Sequence, residues 1–179
     1  MILPIVAYSA AILRIPCAPV TPETPGLQKL ISNMWQTLEN AGGVGLAAPQ
    51  VNRSLRLFLV DSTQADEHNG IHQVFINGHI LNYSTDTCID TEGCLSIPGI
   101  WEEVVRACSI TIQYQDENFN TQTQTFSGPT ARMIQHEYDH TLGKLYLDHL
   151  SPLRRRLLQR KLQAIIKGKV SGKYPMRFK

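Results

Sequence analysis

Apolar residues recur at helical spacing in three stretches of the chain. Leu27, Leu30, Ile31, Met34, Leu38 and Ala41 stand three or four apart and stop at Gly42-Gly43. The spacing predicts a helix with Thr24 as its N-cap and Pro25 at the first helical position. A second helix is predicted from about Pro129 to Leu142, closed by Gly143. The third opens at Ser151-Pro152 and runs through Leu153, Leu157, Leu158, Leu162, Ile165 and Ile166 to a stop near Gly168. Its apolar stripe is expected to pack on the body, leaving Arg154, Arg155, Arg156, Arg160 and Lys161 on the other face. Between the first two helices the period shortens to that of strands. Leu55–Val60, Gln73–Ile76, His79–Ser84, Ser109–Tyr114 and Thr121–Phe126 are the candidates, the last two paired across the polar turn Asp116–Asn120. Strands clustered between helices predict an α+β fold with mostly antiparallel sheet. No repeat, low-complexity tract or linker divides the 179 residues, so one domain is expected over 1–179.

Composition agrees with a soluble globular domain: 42% hydrophobic and 18% charged residues. The first thirteen residues, MILPIVAYSAAIL, lack the basic start of a secretory signal and run into Arg14 and a Pro-rich loop, which predicts a structured N-terminal arm. No apolar run is long enough to span a bilayer. The four cysteines, Cys17, Cys88, Cys94 and Cys108, form no tight pair, and a chain with this much core has no need of bridges. Free thiols in a reducing cytosol are therefore expected. Charge changes the picture more. All 15 acidic residues and only seven of the 17 basic ones precede residue 151, a net charge of −8, whereas residues 151–179 carry ten Lys and Arg and no acid. Such polarity fits either a solvated helix face or an anionic partner.

The chemistry concentrates in the second helix. His136-Glu137-Tyr138-Asp139-His140 is an H-E-x-x-H, which on a helix puts two imidazoles on one face with a carboxylate beside them. A catalytic ion held this way needs a third protein ligand and an open position for water. One protease class takes a Glu well downstream, but no acid follows Asp148; another takes a His where this chain has Tyr146. Cys94, in Glu92-Gly93-Cys94-Leu95-Ser96, offers a thiolate suited to a borderline ion, although a lone cysteine is more often a small buried hydrophobe. A further stretch, Gly43-Val44-Gly45-Leu46-Ala47-Ala48-Pro49-Gln50, lacks the Gly-Lys-Ser/Thr of a phosphate loop, and its small residues permit close approach of another backbone.

GVGLAAPQ, EGCLS and QHEYDH, in that order, resemble the three motifs of the peptide deformylases, and MILPI and GKLYLDHLSP extend the likeness over most of the chain. The resemblance implies antiparallel sheets around a central metal-binding helix, with one helix towards each end of the chain. It implies Cys94, His136 and His140 as ligands of one divalent ion, Fe(II) by association with the family, with Zn(II), Ni(II) or Co(II) able to substitute. It implies that Glu137 is general base and acid while activated water attacks the formyl carbon of an N-formylmethionyl peptide. The Gln50 amide and the Leu95 N–H would be donors to the formyl oxygen. Gly43, Val44 and Gly45 would pair with the peptide as an added strand, Gly93 would also bind substrate, and Val44, Pro129 and Met133 would line the Met pocket. Glu92 and Asp139 would support the ligands, with Arg106 as a partner of Glu92. Thr141 and Trp101 depart from the commoner Leu and Arg of the family. A monomer in the bacterial cytoplasm, or an organelle, is implied, with the basic helix docking on ribosomal RNA near the exit tunnel. Truncation after about Leu150 is then expected to spare turnover of short peptides. A metallopeptidase and a metal-stabilised nucleic-acid-binding protein are the other readings.

Overall fold

The computed structural model describes residues 1–66, 69–170 and 173–178. In chain order the described residues form β1 (Ile5–Val6), α1 (Leu27–Ala41), β2 (Gly45–Ala47), β3 (Leu57–Asp61), β4 (His72–Tyr83), β5 (Thr87–Cys94), β6 (Ile97–Ala107), β7 (Ser109–Gln115), β8 (Thr121–Ser127), α2 (Gly128–Thr141), α3 (Pro152–Ile166) and β9 (Met176–Arg177). Strands β2-β3-β4-β7-β8 make a five-stranded sheet, antiparallel at every pairing. Strands β5 and β6 form a separate antiparallel hairpin, and β1 pairs with β9 in parallel. The fold is α+β with mostly antiparallel sheet, as expected. Ten of the 14 residues of α2 are buried, so this helix runs through the interior between the large sheet and the hairpin.

Helix ends follow local chemistry. Helix α1 begins at Leu27, two residues later than predicted, because Gly26 takes φ 70° and Thr24 is spent on a turn, its Oγ1 accepting from the Thr21 N–H. It stops where predicted: Gly42 enters the left-handed region, and the N–H of Gly43 reaches back to the Leu38 carbonyl. Gly143 ends α2 with φ 73°, and a Cβ on it would lie 2.8 Å from the Arg14 backbone, so this stop also seats the N-terminal loop. Ser151 caps α3 by accepting from the Arg154 N–H.

The two strands predicted either side of Asn77-Gly78 are one strand, β4, bulged at that point. Asn77 takes φ 54° while its side chain bonds Val20 and Gln115. The inward face of the β5–β6 hairpin mixes apolar and charged residues, with Ile100 and Val104 buried beside Glu102 and Arg106. Trp101 and Val105 face out, so the usual apolar-in, polar-out alternation is blurred on β6.

Two expectations are corrected. Cys88 and Cys108 are joined by a disulfide, leaving Cys17 and Cys94 as free thiols. Folding of the hairpin brings their Cα atoms to 5.3 Å, a proximity that sequence spacing cannot reveal. The stripe of α3 also divides. Leu158, Leu162 and Ile165 are buried, but Leu153 and Leu157 are 69% and 65% exposed beside the arginines. The buried three are each worth about 1.5–3 kcal/mol of transfer free energy, so α3 is bound into the body.

Candidate active site

Helix α2 sets His136 and His140 one turn apart on one face, their ring centroids 5.2 Å from each other. The end of β5 brings Cys94 against them. The ligand-type atoms of Cys94, His136 and His140 all lie within 4.8 Å of one another, with Cys94 Sγ 3.3 Å from His140 Nε2. Gln50 arrives on a single 3-10 turn, Ala48–Val51, that follows β2. Its Oε1 accepts from the Ala47 N–H at 2.8 Å, which turns the amide NH2 towards Cys94 Sγ (3.5 Å) and Ser96 Oγ (3.4 Å). Glu137 is buried against Gly45, and its Oε2 has no hydrogen-bond partner.

Behind the imidazoles lies a buried charge network. Glu92 accepts from His136 Nδ1 at 2.8 Å, which leaves Nε2 of that ring free to face Cys94 and His140. Arg106 donates to both oxygens of Glu92 (2.6 and 3.0 Å) and to Asp139 (2.7 Å). Asp139 also bonds His149 Nε2 at 2.8 Å. Glu92, Asp139 and Arg106 are all more than nine-tenths buried, and the arginine is shared between the two carboxylates. Arg132 joins them through Glu92 and the carbonyls of Val104 and Cys88. The motif reading missed Arg132, Ser96 and His149, because their contacts arise only once the hairpin folds over α2.

Electrostatics separate the two carboxylates beside the ligands. Burial would raise Glu92, but His136 and Arg106 outweigh it and hold that carboxyl well below the usual range. Glu137 has no such partner, and burial pushes it up to about 7. Burial, reinforced by His136, drives His140 well below its ordinary value, as suits a neutral ligand. Burial also acts to lower His136, yet its contacts with Cys94 and Glu92 prevail and favour positive charge there. One sulfur and two ring nitrogens within 4.8 Å of one another fit a borderline divalent metal ion.

These groups open on a cleft of about 720 Å³. Its walls include Gln50, Cys94, Leu95, His136 and Glu137, together with Gly43, Val44, Gly45, Gly93, Pro129 and Met133. Of the residues read as metal ligands, catalytic groups or substrate contacts, all but His140 line the cleft, and His140 is 1% exposed. A cleft of about 820 Å³ beside Trp35, Asp61 and His72 contains none of Cys94, His136 and His140. Trp101 lies over Gly93, close enough that a Cβ there would sit 2.6 Å from the indole, so this departure forms part of the cleft wall. Thr141 is buried with its hydroxyl on the Tyr138 carbonyl, so the interior absorbs it. Tyr146, standing where the longer protease pattern has its third His, gives its hydroxyl to the Ile100 carbonyl and supplies no ligand. Lys173 and Tyr174 also reach the cleft, with the Tyr174 hydroxyl 2.7 Å from the Leu95 carbonyl. Only the fold could bring them there.

The family model for polypeptide deformylase matches residues 2–156. A peptide deformylase of Christiangramia forsetii is 45% identical, the match covering 99% of this chain and 96% of that protein. Among solved structures, a peptide deformylase from Legionella pneumophila is similar with a TM-score of 0.83 and 37% identity, over 94% of this chain and 98% of the other. A class I type b peptide deformylase from Acinetobacter baumannii with Met-Ala-Ser bound gives a TM-score of 0.78 at 33% identity, over 84% of this chain and 99% of the other.

Proposed function

The chain belongs to the polypeptide deformylase family, and from that premise we propose that it removes the N-formyl group from the N-terminal formylmethionine of newly made polypeptides, releasing formate. One observation carries the reading: Cys94, His136 and His140 converge where the partnerless Glu137 carboxylate and the fixed Gln50 amide also line the cleft. Cys94, His136 and His140 would hold one divalent ion, which when bound supplies Lewis acidity and brings the pKa of water from 15.7 towards about 7. The donor set accepts Fe(II), Zn(II), Ni(II) or Co(II); the family resemblance favours iron.

Glu137 takes the proton of the attacking water and returns it to the amine nitrogen as the C–N bond breaks. Its raised pKa suits both halves of that exchange. The Gln50 Nε2–H and the Leu95 backbone N–H donate to the formyl oxygen as negative charge grows there, each such donor being worth about 3 kcal/mol. Gln50 is neutral, so it stabilises that charge without competing for the proton. Strand β2 is the edge of its sheet, which leaves Gly43–Gly45 available to pair with an extended peptide. The Met side chain would enter between Val44, Pro129 and Met133, and Gly93 also lines the cleft. That a relative of known structure has Met-Ala-Ser bound agrees with a product of this form.

We further place the protein as a monomer in the bacterial cytoplasm, acting on chains leaving the ribosome. The outward face of α3, with Arg155, Arg156, Arg160 and Lys161 exposed beside Leu153 and Leu157, would meet ribosomal RNA, and that contact should weaken steeply with salt. Among the described residues no helix is long and apolar enough to cross a membrane. The deciding assay is formate release from formyl-Met-Ala-Ser by iron- or cobalt-loaded protein. Activity no greater than that of a Glu137→Gln variant would sink the proposal.

A further inference from the structure

Leu95 and Ser96 form the two-residue turn that joins β5 to β6 immediately after Cys94. Neither terminus of the chain is near this turn in sequence, yet both hold it. The Tyr174 hydroxyl donates to the Leu95 carbonyl at 2.7 Å, and the Tyr8 N–H donates to the Ser96 carbonyl at 2.9 Å. The two termini are themselves tied together. Strand β9 pairs with β1, with the Ile5 N–H bonded to the Pro175 carbonyl and the Ala7 N–H to the Arg177 carbonyl. Tyr174 is partly buried against the core that holds α1 and β3, and Met176 and Phe178 pack on the core that holds α3. Lys173 and Tyr174 line the catalytic cleft.

We infer that the segment leading into the C-terminal strand is a working part of the catalytic cleft, and that Tyr174 is a positioning residue for the Leu95 turn. The inference rests on the deformylase reading, in which the Leu95 N–H is a donor to the formyl oxygen. A turn peptide held only by its neighbours can rock about its φ and ψ. Fixing the Leu95 carbonyl restrains Leu95 itself, and with it the direction of its N–H. Burial pushes the tyrosine hydroxyl up to about 12, so it remains a hydrogen-bond donor throughout the neutral range. The role touches charge that exists only in the transition state. It should therefore appear in turnover and spare the binding of a product that has lost the formyl oxygen.

Tyr174→Phe removes one oxygen and keeps the ring. Measured on formyl-Met-Ala-Ser at a temperature well below unfolding, kcat is expected to fall about five- to tenfold, the share of a single neutral hydrogen bond. KM and the affinity for the product Met-Ala-Ser should stay within about twofold. The visible spectrum of the cobalt-loaded protein, which reports the Cys94 thiolate, should be unchanged. A Phe variant with wild-type kcat overturns the inference. So does a fall in kcat accompanied by loss of product affinity or an altered cobalt spectrum, because the hydroxyl would then be supporting the whole site. A wild-type protein that releases no formate fails the deformylase reading first, and the two failures are told apart by that control.

Discussion

Gly45 is where the geometry makes its sharpest demand. A Cβ at this position would lie 2.5 Å from Glu137 Oε1 and 2.8 Å from both Cδ and Cγ, whereas ordinary contact begins near 3.4 Å. The backbone of Gly45 is not in the left-handed region, so alanine meets no conformational penalty there, and the conflict is with the carboxylate alone. Glu137 is 5% exposed and has little room to retreat, so the Gly45→Ala variant should displace the carboxylate by about 1 Å. A displacement of that size costs on the order of a hundredfold in rate. The expected result is a fall in kcat/KM of about 10²-fold, measured by formate release, with metal content still at one ion per chain. Overpacking should also lower stability by about 1–3 kcal/mol, so unfolding must be followed to keep the assay on folded protein. Gly43→Ala is the comparison. There a Cβ meets only the ends of the Leu38 and Leu95 side chains, at 2.8 and 2.9 Å, which can turn aside, and the loss should be clearly smaller. A Gly45→Ala enzyme keeping more than about a third of wild-type kcat/KM with full metal would refute the placement of Glu137 as the proton carrier.

Four further outcomes follow from the same contacts. Glu92→Gln should weaken zinc binding by about 10–100-fold in equilibrium dialysis, because His136 loses the carboxylate that orients it; unchanged affinity would mean the ring needs no such partner. In the metal-free protein the raised Glu137 pKa makes ionisation a cost to the fold. The penalty is absent below pH 4.5 and grows to about 3 kcal/mol above pH 7, so Glu137→Gln should be more stable than wild type at pH 8 and no different at pH 4, by denaturant unfolding. Thiol titration of the unfolded, oxidised protein should count two cysteines, and reducing the Cys88–Cys108 bridge, which closes 20 residues, should lower stability by about 3 kcal/mol. Truncation after Leu150 should abolish turnover as well as any ribosome contact, because it strips buried Leu158, Leu162 and Ile165, together worth about 4.5–9 kcal/mol, and removes Tyr174; a stable, active truncate would show α3 to be separable after all.

The loss expected on truncation departs from what the family resemblance implies, because part of α3 is core. Ten positive charges without an acid read as a tail because charge is counted along the chain. Burial is decided by which turn of α3 faces the body, and Leu158, Leu162 and Ile165 lie four and three residues apart among the arginines. Helix ends were legible for a similar local reason: Gly42, Gly143 and Ser151 act on their own backbone or their next turn. Gly26 displaced the start of α1 because a left-handed residue there ended the Thr24 turn before the helix began. The β5–β6 hairpin escaped detection because its buried face carries Glu102 and Arg106, whose charges are satisfied by groups that no local pattern includes.

The same distinction divides the site. Residues in direct reach of the chemistry were legible because each motif fixes its own geometry: two His four apart on one helix, a Cys at the end of a strand, a Gln on a turn after small residues. What holds them in place was not, since it is assembled from distant elements. Arg106 spans Glu92 on β5 and Asp139 on α2, and Arg132 returns from α2 to the hairpin. The disulfide closes that hairpin at its base, and its Cys88 carbonyl receives Arg132, so the bridge and the charge network restrain the same strand that ends in Cys94. A fold that borrows both of its termini and a buried arginine to steady one turn cannot be understood from the motif on that turn. If this account is right, loss of activity on changing Arg106 should track loss of metal affinity, whereas loss on changing Tyr174 should not. The first acts through a ligand, the second through the donor beside it.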